Sequence, residues 1–442
     1  MPPQQSDRMT SEESPLVGGK SSMGITNQES FGSDTDRFSK KTFVVGVLTG
    51  LLGAGLVVAI RHISQEGDEI FKPHKLPTGP YKLVERQEGE KFFDYYDFYD
   101  GPDSLGSAGY NTYVSKDRAV KSGIFNVTIE DDEEFVYMSS ASTEEGPRES
   151  IRLEGKELYN HGLFIIDLPH MPAGCGIWPA FWLTNEESWP DKGEIDIVEG
   201  VNFQSVAKTA LHTSAMCSMF AHVPDWVKTG DWDWATGLPD TFTGEPKFDI
   251  SKPADDCWNM AQHQWGNQGC VAISPDEGTL GTPFNDNGGG VFALEWDPEY
   301  RRIRSWAFSP HGEVPDNLKA AMDTANAKDP ADRVIPDTDT WGLPYAYFAI
   351  GETTGCSADH FRDMRLVLNL AFCGNVSGNR YFGDCPAEAK EFKVKNDPIG
   401  SCNKFIKSEP EALSEAYWKI RGAYVYQREM EHAPQPQESD EN

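Results

Sequence analysis

The chain has 442 residues, a formal net charge of −31 and 38% hydrophobic residues, which is sufficient for a large core. Its length allows two or three domains. The excess of acidic residues argues against nucleic acid as a partner and against electrostatic docking on anionic lipid, because both need a cationic surface. A neutral polysaccharide would tolerate such a surface, and the alternative is that the charge serves solubility alone.

The N-terminal region contains a candidate membrane anchor. Residues 1–42 are rich in Ser, Gly, Gln and acidic residues, and are predicted to form a disordered cytosolic tail. Residues 43–60 form an uncharged run of 18 residues, which meets the lower limit for a membrane-spanning helix. A cleaved signal peptide is the alternative, but its apolar region is typically about 7–15 residues and starts near the N-terminus. We therefore expect an uncleaved signal anchor at 43–60 and a polar stalk at 61–79.

The cysteines and glycosylation sequons indicate which side of a membrane the rest of the chain occupies. All eight cysteines follow the apolar run, and so do the sequons at Asn126 and Asn375. An even number of cysteines confined to one side suggests disulfides in an oxidising compartment, with a connectivity that the sequence leaves open. We expect a single-pass type II membrane protein whose C-terminal part is luminal or extracellular and glycosylated.

From about Tyr81 the chain consists of short segments with alternating apolar residues, separated by Gly, Pro, Asn and Asp. Such segments are predicted strands, and they cover 123–129, 158–166, 180–183, 194–198, 290–296, 303–308, 364–372 and 423–427. Many short strands predict a β-sandwich or barrel. The stretches 220–264 and 311–339 are predicted loop insertions, with short helices at 316–326 and 410–417. Residues 428–442 are a predicted disordered acidic tail.

The segment 193–200 has the sequence Gly-Glu-Ile-Asp-Ile-Val-Glu-Gly and places three carboxylates within six residues. Glu194 and Asp196 share a strand face, and one bulge before Glu199 would bring all three carboxylates to that face. Like charges at this spacing are costly and their titrations are coupled. A retaining glycosidase needs two carboxyl groups about 5–5.5 Å apart. The alternative is a half-exposed antiparallel strand whose acidic side chains simply face water.

The surroundings of this segment favour the glycosidase. Residues 174–183 precede it and include Trp178 and Trp182, and residues 210–213 follow it and include His212. Aromatic rings beside paired carboxylates suit a sugar site. The two tryptophans share a strand face and are candidate sugar contacts, with a core position as the alternative. His212 is a third candidate, although a lone His on a strand is more often structural.

With these motifs the chain resembles glycoside hydrolase family 16, and within it the laminarinase-like endo-1,3(4)-β-glucanases. The family signature Glu-x-Asp-x-(x)-Glu is matched in its longer, bulged form. Segments 150–164, 284–296 and 416–426 are also similar to strands of the family, so the resemblance covers about residues 80–427. It implies an all-β, concanavalin A-like jelly roll in which two curved antiparallel sheets form a sandwich.

The resemblance also implies the chemistry. It assigns Glu194 as nucleophile, Asp196 as its electrostatic helper and Glu199 as acid/base, with retention of configuration and without a metal or cofactor. The charges of Glu194 and Asp196 are expected to raise the pKa of Glu199.

The leading hypothesis is an endo-acting hydrolase of internal β-1,3 bonds, and of β-1,4 bonds in mixed-linked glucans, with a β-glucan polysaccharide or oligosaccharide as its partner. One alternative is a membrane-anchored transglycosylase for wall remodelling, because fungal proteins of β-1,6-glucan assembly resemble this layout. A second alternative is a non-catalytic β-glucan-binding protein, which usually has a broken acidic triad. Hydrolysis and transglycosylation share the covalent intermediate, so the three acids alone do not separate them.

Overall fold

The computed structural model describes residues 79–103, 107–219, 223–236, 248–309 and 314–429. The predicted cytosolic tail, the predicted membrane-spanning helix at 43–60, the stalk up to residue 78 and the C-terminal tail from residue 430 lie outside these ranges. Within the ranges, none of the helices combines the length and apolar character that crossing a membrane requires.

The described chain consists mainly of β-strands. In chain order they are β1 Lys82–Gln87, β2 Tyr96–Phe98, β3 Gly101–Pro102, β4 Asn111–Tyr113, β5 Phe125–Glu130, β6 Glu133–Met138, β7 Arg148–Ser150, β8 Arg152–Gly155, β9 Gly162–Leu168, β10 Ile177–Thr184, β11 Glu194–Glu199, β12 Lys208–His212, β13 Asp231–Trp232, β14 Trp234–Thr236, β15 Phe248–Pro253, β16 Cys270–Ile273, β17 Gly290–Asp297, β18 Arg302–Phe308, β19 Ala346–Ala349, β20 Arg365–Phe372, β21 Trp418–Ile420 and β22 Gly422–Gln427.

In the described chain the helices are short, and there are fewer helices than strands. The α-helices are α1 Lys116–Ser122, α2 Gly281–Asp286, α3 Asp316–Asp323, α4 Tyr381–Asp384, α5 Pro386–Phe392 and α6 Pro398–Ser408. Short 3₁₀ or π segments cover Gly89–Tyr95, Glu186–Ser188, Asp225–Val227, Pro330–Asp332, Thr338–Thr340, Ala358–His360, Gly374–Gly378 and Pro410–Leu413.

Two antiparallel sheets form the body of the molecule. The larger has eight strands in the order β13-β16-β12-β11-β10-β20-β8-β2, and the smaller has six in the order β1-β22-β9-β17-β18-β19. Every neighbouring pair in both sheets is antiparallel. Smaller sheets pair β14 with β15, β21 with β6 and β5, and β3 with β4 and β7. The predicted all-β sandwich is confirmed.

The main core lies between the two large sheets because their facing side chains are apolar. On the six-stranded sheet Phe164 and Leu294 are fully buried in this core, and on the eight-stranded sheet so are Leu183 and Leu368. Burying one such side chain stabilises the fold by roughly 1.5–3 kcal/mol. Strand β9 is buried at every position, and its alternate residues belong to a second core on the other side of the sheet. A strand covered on both faces has a continuous apolar sequence.

All eight cysteines are paired. The disulfides are Cys175–Cys385, Cys217–Cys356, Cys257–Cys270 and Cys373–Cys402. The first and the last attach the helical segment α4–α6 to the loops beside β10 and β20, where Phe372 and Phe405 belong to one buried cluster. The expected disulfides are thereby confirmed, and their connectivity, which the sequence left open, is set by this packing.

Several predicted elements differ from the structure. The helix predicted at 316–326 is present as α3, but the one predicted at 410–417 is only the 3₁₀ turn Pro410–Leu413. Helices α1, α2 and α4–α6 were not predicted. They are short, so their apolar spacing is weak, and packing and disulfides hold α4–α6 in place. Segments 150–164 and 416–426 each contain two strands that belong to different sheets.

A buried ionic network lies on the far side of the six-stranded sheet. Glu295 has no exposed surface, and its Oε2 accepts hydrogen bonds from Nε of Arg302 (2.9 Å) and of Arg304 (2.7 Å). Its Oε1 accepts from the Tyr81 hydroxyl (3.0 Å) and the Thr338 hydroxyl (2.7 Å). Burial alone would raise the pKa of Glu295, but the two guanidinium groups outweigh it and hold this pKa below its usual range.

Replacement of Glu295 should therefore destabilise the fold. Glu295→Gln leaves two buried arginines without their carboxylate, and breaking a buried pair in this way costs about 3–5 kcal/mol. The free energy of unfolding from urea denaturation is the measurement. Asp323→Asn, which breaks the exposed Lys319–Asp323 pair, is the matched control and should change little. If both variants lowered the free energy of unfolding by the same amount, the buried network would contribute no more to stability than the exposed ion pair does.

Candidate active site

The acidic segment forms β11, in the middle of the eight-stranded sheet. Trp182 of β10 pairs with Asp196, but Phe181 pairs with Val198, so Ile197 is the extra residue of a β-bulge. The bulge predicted before Glu199 is therefore present. Its consequence is that Glu199 pairs with Ala180, on the same face as the Trp182–Asp196 pair.

The two faces of β11 have opposite chemistry. Ile195, Ile197 and Val198 belong to the main core. Glu194, Asp196 and Glu199 form a row on the other face of the sheet, which we call the acidic row. The hydrophobic residues between the acids thus position the row by anchoring the strand to the core.

His212 lies beside two members of the acidic row. It pairs with Glu194 across β11 and β12, and its Nε2 atom is 3.2 Å from Oδ2 of Asp196 and 3.8 Å from Oε1 of Glu194. The His212 and Asp196 side chains are only 8% and 4% exposed. Gly269 makes room for the ring, because a Cβ atom there would lie 2.8 Å from Nδ1 of His212.

Two indoles hold the ends of the acidic row. Nε1 of Trp178 donates to Oε1 of Glu199 (2.7 Å), and Nε1 of Trp189 donates to Oε2 of Glu194 (3.0 Å). Each outer carboxylate thus receives one directed hydrogen bond, which fixes the direction of its oxygens.

Trp182 is held by different partners. Its Nε1 donates to Oδ1 of Asn369 (2.8 Å), and the guanidinium of Arg152 lies over its ring at 5.3 Å from the centroid. Arg152 in turn pairs with Glu154 (2.9 Å) and Glu186.

Trp178 and Trp182 are both partly exposed, and neither lies in the apolar core. The structure therefore brings all six predicted site residues together on one side of the sheet.

Three residues of this site were not predicted from the sequence: Trp189, Asn369 and Arg152. Asn369 did leave a signal, because it is a polar residue inside the apolar run of β20. Trp189 precedes the acidic segment by five residues in a loop, where no periodicity applies. Arg152 reaches the site from β8, the strand beyond β20.

The electrostatics of the acidic row favour bound protons. Burial, followed by the charge of Asp196, raises the pKa of Glu194 to about 8. Burial, followed by the charge of Glu199, raises the pKa of Asp196 well above its usual range. His212 opposes the rise at Glu194 but does not cancel it. Burial and like charge thus favour the protonated forms of Glu194 and Asp196 over their ionised forms.

Three curated relatives come from fungi. The chain is 34% identical over 353 residues to a probable endo-1,3(4)-β-glucanase of Aspergillus fumigatus, covering 78% of this chain and 45% of the relative. It is 33% identical over 356 residues to the endo-1,3(4)-β-glucanase xgeA of Emericella nidulans, covering 78% and 47%. A probable glycosidase of Schizosaccharomyces pombe is 33% identical over 355 residues, covering 78% and 69%. The chain thus spans about half the length of the first two relatives.

Solved structures share the fold. Laminarinase 16A of Phanerochaete chrysosporium, with β-glucans in its donor and acceptor sites, has a TM-score of 0.59 and 28% identity, covering 79% of this chain and all of that one. An elongating family 16 β-1,3-glucosyltransferase has a TM-score of 0.60 and 30% identity, covering 78% of this chain and all of that one. These neighbours agree with the predicted jelly-roll sandwich.

The chain also matches the family described as the XgeA-like catalytic GH16 domain, over residues 96–236 and 240–426. This match covers well over half of the sequence and includes the whole acidic row. The chain therefore belongs to glycoside hydrolase family 16, with an XgeA-like catalytic domain.

Proposed function

We propose that this chain is a retaining endo-β-glucanase that hydrolyses internal β-1,3 bonds of laminarin-type glucans, and β-1,4 bonds of mixed-linked glucans. The observation that carries the proposal is the acidic row on one sheet face, with an indole donating to each outer carboxylate. Curated relatives named as endo-1,3(4)-β-glucanases support the substrate class. So does a structural neighbour with β-glucan oligosaccharides in its donor and acceptor sites.

In this mechanism Glu194 is the nucleophile and attacks the anomeric carbon, while Glu199 protonates the departing glycosidic oxygen. A covalent glycosyl ester on Glu194 results. Glu199 then removes a proton from water, which attacks the ester and releases the sugar with its original configuration. Asp196 lies between the two in the row and assists electrostatically. The chemistry needs no metal or cofactor.

The proton balance of the row fits these two steps. Before reaction the row must carry one proton for the leaving group while Glu194 is ionised, and burial and like charge, which raise the pKa of Glu194 and of Asp196, keep the three carboxyl groups from ionising together. Formation of the ester removes the negative charge of Glu194. Glu199, which has given its proton to the departing sugar, is by then a carboxylate and acts as the base toward water.

Trp178, Trp182 and His212 are the proposed substrate-binding residues. Arg152 lies over the Trp182 ring, and we propose that the opposite ring face stacks on a glucose residue. Trp178 would combine sugar contact with orientation of Glu199, because its N–H donates to that carboxylate. His212 would contact the substrate beside Asp196 and Glu194, and its Nε2 would also position these two carboxylates.

Transglycosylation is the second candidate function. It is favoured by the structural similarity to an elongating family 16 β-1,3-glucosyltransferase, at 30% identity. The two activities differ only in whether water or the hydroxyl of another sugar attacks the ester. A glucan-binding role without catalysis would not require all three carboxylates of the acidic row, which this chain retains.

Product analysis distinguishes these functions. Purified protein would be incubated with laminarin, with lichenan, and with a short laminari-oligosaccharide as acceptor. A retaining hydrolase should release shorter oligosaccharides whose first-formed anomer, observed by NMR, is β. Oligosaccharides longer than the acceptor would favour transglycosylation. A first-formed α anomer would rule out the covalent mechanism, and glucan binding without products would favour the binding role.

The roles of the two glutamates can be separated by their leaving-group dependence. Glu199→Gln should slow hydrolysis of laminarin far more than cleavage of an aryl glucoside, because a good leaving group departs without a proton. Azide should then restore turnover by attacking the ester without a base. Glu194→Gln is the contrast: it lacks the nucleophile, so it should be inactive on both substrates by orders of magnitude. Equal slowing of both substrates by Glu199→Gln, without azide rescue, would contradict its role as acid/base.

The raised pKa of Glu194 predicts a pH-dependent cost in stability. At pH values between 4.5, the usual pKa of a glutamate, and about 8, the folded state binds the Glu194 proton more tightly than the unfolded state does. The contribution of Glu194 to the free energy of unfolding is therefore complete below about pH 4.5 and is lost as the pH rises toward 8. Glu194→Gln has no such loss, so its free energy of unfolding relative to wild type should rise across this window, by roughly 1 kcal/mol for each pH unit, and its melting temperature should rise with it.

The control for this measurement is Glu411→Gln, which removes one charge from the exposed surface. A melting-temperature difference for Glu194→Gln that does not change between pH 4.5 and 8 would show that folding does not raise the pKa of Glu194.

We also propose that the catalytic domain is luminal or extracellular and is tethered by a helix at 43–60. The four disulfides support an oxidising compartment. Asn126 and Asn375 are both exposed and so accessible to glycosylation.

Protease added to intact vesicles should remove residues 1–42 and spare the domain, whereas cleavage of the domain with the tail spared would reverse this topology. Release of the whole chain by carbonate would contradict the tether.

A further inference from the structure

One corner of the acidic row has the composition of a transition-metal site. Oxygen atoms of Glu194 and Asp196 and a ring nitrogen of His212 all lie within 4.8 Å of one another. A second cluster in the described ranges, Cys175, Cys385 and Glu388, is unsuitable because its cysteines are joined in a disulfide. A thiolate, and not a disulfide sulfur, is the usual cysteine ligand.

An unpartnered buried oxygen points to a ligand in this corner. Asp196 is 3% exposed, and its Oδ2 accepts no hydrogen bond within the described part of the chain. This oxygen is 3.2 Å from Nε2 of His212, yet the approach does not have hydrogen-bond geometry. A buried carboxylate oxygen without a donor is costly. A cation placed between Oδ2 and Nε2 would remove that cost.

The distances fit a tetrahedral ion. Ligands at about 2.0–2.2 Å from Zn²⁺ lie roughly 3.3–3.6 Å from one another. Nε2 of His212 is 3.2 Å from Oδ2 of Asp196 and 3.8 Å from Oε1 of Glu194, which brackets this range. Trp189 donates to the other oxygen of Glu194 and so leaves Oε1 toward His212. Ca²⁺ and Mg²⁺ fit poorly, because they require six or more ligands that are mainly oxygen.

We propose that Glu194, Asp196 and His212 form a binding site for Zn²⁺ or a similar divalent transition metal, and that the bound ion blocks catalysis. The metal would bind the Glu194 carboxylate that attacks the sugar, so metal and glucan would exclude each other. This second part rests on the proposed function, whereas the binding site itself does not.

The affinity should be moderate. Metal-ligating histidines normally donate their other ring N–H to an acceptor, and Nδ1 of His212 has no such partner in the described chain. Loss of such a partner typically weakens metal binding by about 10–100-fold. The site is therefore suited to reversible inhibition and not to a permanently held cofactor.

Calorimetry on the purified full-length chain tests the site without any measurement of activity. Zn²⁺ should bind wild type saturably, and Co²⁺ at the same site should give the visible absorption of a four-coordinate ion. Asp196→Asn and His212→Gln should each weaken Zn²⁺ binding by about tenfold or more. Glu199→Gln, which removes a neighbouring charge but none of the three ligands, is the matched control and should weaken it less. Ca²⁺ and Mg²⁺ should not displace Zn²⁺.

Inhibition kinetics test the second part. Zn²⁺ should raise the KM for laminarin without lowering kcat, and any turnover that His212→Gln retains should be insensitive to Zn²⁺. Binding of Zn²⁺ that is equally tight in wild type, Asp196→Asn and His212→Gln, or absent in wild type, would overturn the site. Zn²⁺ binding that leaves KM unchanged would overturn the block. If wild type does not act on glucans, the proposed function fails, while calorimetry and Co²⁺ absorption still decide the site.

Discussion

Mutual repulsion among three carboxylates in a largely dehydrated row is the constraint on which the site depends. Such a row is unfavourable for two reasons, since each charge loses water and each faces another charge of the same sign. The structure sustains it by anchoring β11 to the core through Ile195, Ile197 and Val198. Two indole N–H groups and His212 relieve part of the cost. The remainder is relieved by proton binding, which is the property that acid/base chemistry requires.

The same sandwich contains a glutamate in the opposite state. Glu295, beyond the six-stranded sheet, is more deeply buried than Glu194, yet two arginines keep its pKa low. Within the described part of the chain, the charged groups that act on Glu194 are two acids and a histidine, and burial together with these acids raises its pKa to about 8. Burial raises the pKa of both carboxylates, and the charges beside each one decide whether that rise persists. The same residue type is thus held ionised at one place and favours its proton at the other, because the neighbouring charges differ.

The parts of the site that a single strand encodes were predictable from the sequence. Alternation and one bulge placed Glu194, Asp196 and Glu199 on one face, and the same rule placed Trp178 with Trp182. Arg152 and Asn369 could not be placed, because they meet Trp182 only through the order of β8, β20 and β10, which pairs segments about 200 residues apart in the chain. The helices α4–α6 depend on packing and disulfides, which apolar spacing does not show.

The position of the last strand has a consequence for biosynthesis. β22, which ends at Gln427, lies between β1 and β9, so the six-stranded sheet cannot be completed until nearly the whole chain has been made. Until then the edges of β1 and β9 that face each other across the gap are unpaired, and such edges are ready to join the strands of other molecules. Pairing over this sequence distance is also slow. The nascent domain therefore needs protection from aggregation until its C-terminal strand has been made. A chain truncated before residue 422 would lack β22, an interior strand of the sheet, and not merely a dispensable end.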